Sequence, residues 1–141
     1  MATKVLDSWA LMALFNEEPA ADAVEKLLAQ AATEKHKLLM SVVNWGEIYY
    51  SVMRGASPEM AEQKAREIAA IPVEIVEADL AQARQAAIFK ATKKMSYADC
   101  FAAALAKREK GDLVTGDKEF KQIENGSSRF PVHETSGIFL S

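Results

Sequence analysis

Among the 141 residues there is one cysteine, Cys100, and there are two histidines, His36 and His133. A single cysteine excludes an intramolecular disulfide framework and any multi-cysteine metal site, and it suits a reducing, cytoplasmic setting. The histidines stand apart with no ligand spacing and read as ordinary surface or structural residues. Glycine and proline are also scarce, with six and four residues, about 7% where about 12% is usual. That supply builds few long loops. No apolar run near the amino end approaches a membrane span. The stretch from Trp9 to Phe15 follows Asp7, has only Lys4 ahead of it and runs into Asn16-Glu17-Glu18, unlike a signal peptide. An excess of basic charge is lacking too: the formal net charge is −3, so composition alone does not announce a nucleic-acid partner.

What is present is globular. Half of the residues are hydrophobic and 26% are charged, which fits one soluble domain spanning 1–141. The charge is unevenly spread. Residues 1–89 carry 8 basic and 13 acidic side chains, whereas residues 90–121 carry 8 and 5. A positive segment beside a negative one hints at a phosphate-facing surface, although most such segments are solvated helix faces.

Periodicity predicts alternating strands and helices. Thr3-Lys4-Val5-Leu6 reads as a strand, followed by helices over Ser8 to Asn16 and about Ala20 to Lys35. The nearly unbroken apolar run from Leu38 to Val43 is expected of a strand covered on both faces in a parallel sheet. A helix from Trp45 to Arg54, ended by Gly55, comes next, then one opening at Ser57-Pro58. Pro72 to Val76 begins with proline and alternates, as an edge strand does. Helix 78–91 is expected to carry Leu80, Ala83 and Ala87 on one side. Helix 97–110 carries Ala98, Phe101, Ala102 and Leu105 on one face. A strand at Leu113 to Thr115, a helical turn near Lys118 to Ile123, and strand-like pieces at Phe130 to His133 and Ile138 to Leu140 complete the chain. The alternation argues for an α/β sandwich around a mainly parallel sheet.

Four acids occupy similar settings. Asp7 ends the first strand. Glu47 lies just past the second, in Asn44-Trp45-Gly46-Glu47. Asp99 lies in Ser96-Tyr97-Ala98-Asp99, and Asp117 in Thr115-Gly116-Asp117. Singly, each has a structural explanation. Asp7 and Asp117 look like helix N-caps, and Asn44…Glu47 and Ser96…Asp99 have capping-box spacing. Jointly they point elsewhere, because the carboxyl ends of parallel strands share one edge, where α/β proteins bind ligands. Clustered carboxylates either retain protons or bind a cation. An all-oxygen set favours Mg2+ or Mn2+ over Zn2+, and such ions suit phosphoryl chemistry by activating water and screening phosphodiester charge.

Val5-Leu6-Asp7-Ser8, Ser41 to Tyr50, Ser96 to Ala106 and Leu113 to Phe120 together resemble the PIN domain, and more narrowly the VapC-type ribonuclease toxins of toxin–antitoxin pairs. The resemblance covers nearly the whole chain with its motifs in order, although Phe130 to Ser141 match poorly. It implies a three-layer α/β/α fold with a five-stranded parallel sheet in the order 3-2-1-4-5. It also implies Mg2+- or Mn2+-dependent RNA hydrolysis, with Asp7, Glu47, Asp99 and Asp117 as metal-binding and catalytic acids. Ser8 and Thr115 are supporting hydroxyls, and Lys93, Lys94 and Lys118 are candidates for contact with the RNA backbone. A small antitoxin and a second copy in a homodimer are the expected partners. Trp45, Tyr49, Tyr50 and Tyr97 are candidates for base stacking, with core or dimer contacts as the plainer role. Cys100 reads as a buried helix residue, not a nucleophile. Phosphatases of the haloacid-dehalogenase type need an acid where Trp9 stands, and a phosphoacceptor receiver lacks its lysine here. The alternative is a non-catalytic PIN-like module that binds RNA or protein and whose acids only cap helices.

Overall fold

The computed structural model describes residues 2–33 and 35–116, together with the backbone of 133–135 and 138–140. In chain order these form β1 (Ala2–Leu6), α1 (Ser8–Phe15), α2 (Ala21–Ala32), β2 (His36–Ser41), α3 (Val42–Gly55) and α4 (Pro58–Ala69). There follow β3 (Glu74–Val76), α5 (Leu80–Thr92), α6 (Tyr97–Glu109), β4 (Asp112–Thr115), β5 (His133–Thr135) and β6 (Ile138–Leu140).

The sheet runs β3-β2-β1-β4-β6-β5. Strands β1 to β4 are parallel, with β1 pairing β2 on one side and β4 on the other. The mainly parallel sheet flanked by helices is therefore as the sequence implies, and β3 is the expected edge on its side. The parallel part has four strands, however, not five. The fifth place is taken by β6, antiparallel to β4, and β5 pairs antiparallel outside it. Only two residues separate Thr135 from Ile138, and so short a connection joins antiparallel strands, since a parallel crossover needs a dozen or more.

Strand periodicity divides the core between the two faces. Val5, Leu39 and Leu113 pack with α5 and α6. Their neighbours Leu6, Leu38, Met40 and Val114 pack with α1 to α4. With both faces covered, the strand middles are apolar on both sides, as at Val5-Leu6, Leu38-Leu39-Met40 and Leu113-Val114, which explains the unbroken run in β2. Helix α6 is buried at every position from Asp99 to Ala106. Its alanines let it lie close against the sheet, α5 and α3.

Of the side of α5 that carries Leu80, Ala83 and Ala87, only Ala83 packs against the core. Leu80 is 77% exposed, and Ala87 is exposed as well, while Gln82 and Ala86 are buried. Alanines surround this helix, so its own pattern does not select a face, and packing against α6 decides. Helix α3 also starts earlier than its pattern suggests, at Val42. The predicted turn near Lys118 to Ile123 lies outside the described residues. The strand predicted over Phe130 to His133 overlaps β5 only at His133. No helix among the described residues is long and apolar enough to cross a membrane.

These burial differences carry a direct expectation. Leu105→Ala empties a fully buried position and is expected to lower the unfolding free energy by about 2–5 kcal/mol. Leu80→Ala is expected to change it by less than about 0.5 kcal/mol. Urea denaturation measures both, and comparable losses would return Leu80 to the core.

Candidate active site

The carboxyl ends of β1, β2 and β4 bring three short segments to one edge of the sheet. Asp7 follows β1 and caps α1, its Oδ1 accepting the Ala10 N–H at 3.0 Å. Its Oδ2 accepts the hydroxyl of Thr115, the last residue of β4, at 2.5 Å. Both residues are fully buried. Asp7 is thus the N-cap the sequence suggests, and it is also pinned across the sheet. Ser8 donates its hydroxyl to Glu47 Oε1 on α3. Each supporting hydroxyl therefore meets one candidate acid.

Asp99 lies in the first turn of α6, where Ser96 is the N-cap and its Oγ accepts the Asp99 N–H at 3.1 Å. A carboxylate there is favoured by the partial positive charge at the helix amino end. Only 7% of Asp99 is exposed, and it shares a cleft of about 460 Å3 with Glu47. Ser8, Trp9, Ser51 and Ser96 line the same cleft. Two of the predicted acids thus open onto one cavity, and Asp7 adjoins its wall residue Ser8. Lys93 and Lys94 do not line it. Asp117 and Lys118 lie outside the described residues.

The capping box expected of Asn44 and Glu47 does not form. Ser41 caps α3 instead, its hydroxyl accepting the Val43 N–H at 3.2 Å. This moves Glu47 into the second turn, where it meets Ser8. Asn44, fully buried, donates its Nδ2–H to the Ala98 carbonyl at 3.1 Å and so ties α3 to the first turn of α6. Its Oδ1 has no partner among the described residues. Sequence reasoning assigned Asn44 no part beyond a cap. The available signal was an amide between Val43 and Trp45, where a buried polar group needs a specific partner.

Trp9 and Gly116 were also missed. A Cβ at Gly116 would overlap the Trp9 indole, so the glycine lets this wall of the cleft close. Of the aromatic candidates, Trp45 and Tyr49 stack on each other at 5.3 Å and line a small gap against α4. Tyr49 also donates to Glu62, and that hydrogen bond holds its phenol above the usual value. Tyr50 and Tyr97 remain about half exposed. Cys100 is fully buried, as expected.

A fold of this kind implies a metal, and the donor chemistry suits one: the acids offer hard oxygens, with no histidine or cysteine among the cleft residues. Among the described residues, however, no group of three acid, histidine or cysteine side chains is placed to hold an ion. A complete site therefore needs a further donor.

A family model described as the PIN domain matches residues 4–126. Solved structures share the fold. VapC20 of Mycobacterium tuberculosis, a sarcin–ricin-loop-cleaving toxin, is 15% identical, with a TM-score of 0.62 over 77% of this chain and 84% of that one. VapBC2 from Rickettsia felis, bound to a promoter DNA fragment, gives 18% identity and a TM-score of 0.69, covering 92% and 97%. DNA-bound VapBC from Salmonella typhimurium gives 16% and 0.67, covering 93% and 98%. No curated protein sequence matches.

Two glycines are expected to respond differently to an added methyl group. Gly116→Ala must displace the Trp9 ring and is expected to destabilise by about 1–3 kcal/mol, as overpacking does, with a shift in tryptophan emission. Gly46→Ala, in the interior of α3 with open space around it, is expected to be neutral or to stabilise by up to about 1 kcal/mol. Thermal unfolding followed by fluorescence distinguishes them, and an unperturbed Gly116→Ala would contradict the packing described.

Proposed function

The chain belongs to the PIN domain family, and from that premise we propose that it is a metal-dependent endoribonuclease, the toxin of a toxin–antitoxin pair. The observation that carries this reading is the opening of Glu47 and Asp99 onto one cleft, beside the segment in which Thr115 holds Asp7. Helix capping explains Asp7 and the position of Asp99, but it does not explain Glu47, which caps nothing and is turned toward Ser8.

Mg2+ or Mn2+ would be held by Asp7, Glu47, Asp99 and Asp117, the last supplying the further donor. Such an ion supplies charge neutralisation at the phosphodiester and activation of water. The chain's own groups set the arrangement. Thr115 and the Ala10 N–H fix both oxygens of Asp7. Ser8 directs Glu47, and Asn44 fixes the spacing between α3 and α6. The buried surroundings of Asp7 and Asp99 reduce screening by water, which strengthens their attraction for a cation. Lys93, Lys94 and Lys118 are the candidates for holding the RNA backbone outside the cleft.

Two partners complete the proposal. Several structures of this fold are toxin–antitoxin complexes, which supports a small antitoxin as a binding partner here. A homodimer in the cytoplasm is the proposed working form. The alternative of a non-catalytic binding module makes a different forecast, namely RNA or protein binding without turnover.

The test is cleavage of labelled RNA by the purified chain. Cleavage is expected with Mg2+ or Mn2+ and not in excess EDTA. Asp7→Asn and Asp99→Asn are expected to slow it by about 100-fold or more without unfolding the chain, since asparagine can keep the cap that Asp7 gives α1 and α6 is capped by Ser96 rather than by Asp99. Full activity in EDTA, or in either variant, would overturn the metal-site proposal.

A further inference from the structure

We infer that Tyr50 and Arg54 form a subsite for single-stranded RNA beside the acidic cleft, with Tyr50 stacking on an unpaired base and Arg54 meeting the adjoining phosphate. The inference rests on the nuclease reading for its substrate class and on the geometry of α3 for its location.

Glu47, Tyr50, Ser51 and Arg54 are spaced i, i+3, i+4 and i+7, so they share one face of α3. Glu47 and Ser51 line the cleft. Tyr50 and Arg54 continue that face about 4.5 Å and about 10.5 Å along the helix axis from Glu47. The opposite side of the helix is committed elsewhere, since Trp45 and Tyr49 stack on each other against α4. Tyr50 has no such role and is 48% exposed.

Its ring is nonetheless engaged on one face. The Arg54 guanidinium lies 5.1 Å from the Tyr50 centroid, over one face. A base can take the other, and stacking of bases on aromatic rings with arginine support is a recurring mode of single-strand binding. Arg54 has no carboxylate partner among the described residues, so its donors are available to a phosphate. Charge complementarity favours this placement. A cleft containing Glu47 and Asp99 repels a polyanion, so a strand that reaches it needs an anchor of opposite charge nearby. Arg54 lies about two turns from Glu47, close enough to act as that anchor. Stacking needs a splayed base, so the substrate class is unpaired RNA, and stacking alone tolerates any base.

The test is fluorescence anisotropy of a labelled single-stranded oligoribonucleotide and of its duplex with Mg2+ present, using full-length protein carrying Asp99→Asn to suppress turnover. In that background Tyr50→Ala is expected to weaken single-strand binding by roughly 5- to 150-fold, and Tyr50→Phe by less than about twofold, since the ring is retained. Arg54→Gln is expected to weaken binding and to lower the salt slope by about one counterion. Unchanged affinity in Tyr50→Ala, or equal affinity for duplex and single strand in the parent, would overturn the subsite. Loss of self-association in Tyr50→Ala with RNA affinity intact would also overturn it, giving the patch to a second copy of the chain. Cleavage by the otherwise unsubstituted chain is assayed in parallel. Its absence alongside Tyr50-dependent binding would sink the nuclease reading and leave the subsite standing.

Discussion

A carboxylate with no exposure to water must have its oxygens met by donors, and Asp7 satisfies that requirement by joining three elements. One oxygen accepts from the first turn of α1, and the other from the hydroxyl that ends β4. The residue itself follows β1. Moving any of these segments leaves a buried carboxyl oxygen without its donor, which costs about 1–3 kcal/mol in a protein interior. The same bonds that stabilise the central strands therefore fix where the first acid stands, and Ser8 carries that position across to Glu47.

The second half of the cleft follows from α6. This helix is buried along its middle, and its amino end is fixed twice, by Ser96 from within and by Asn44 from α3. The Asn44 bond is made to a backbone carbonyl one residue before Asp99, so the two cleft acids are joined by a short, rigid path. Each bond contributes roughly 1 kcal/mol, modest for stability but sufficient to hold a geometry. A pair of like charges on one cavity is unfavourable in isolation, and the proposed cation is what would turn it into an attraction. The net charge of −3 is consistent with an RNA substrate on that view, because part of the negative charge is concentrated in the proposed site.

Much of this was legible from the chain. The run from Leu38 onward signalled a strand with two covered faces, Pro72 signalled an edge, and Asp7, Ser57 and Ser96 cap helices as their neighbours suggest. Where local signals competed, tertiary contacts decided. Ser41 took the cap of α3, so Val42 and Val43 entered the helix despite their strand preference, and Asn44 was released to reach Ala98. In α5, alanine on every side left the phase to α6, and Leu80 turned outward. The antiparallel pairing of β5 and β6 depends on a two-residue connection that periodicity does not describe. Ser8, Thr115 and three of the four acids could be placed, whereas the parts of Trp9, Gly116 and Asn44 arise from contacts across the fold.

The proposed cation site has its most direct test in the ion itself. Titration of Mn2+ into the full chain, followed by electron paramagnetic resonance of the free ion, measures uptake independently of any RNA. Uptake is expected for the wild-type chain, with Asp7→Asn and Asp99→Asn each weakening it by at least about tenfold. Equal uptake by all three proteins, or none by the wild type, would contradict a metal site built from these acids.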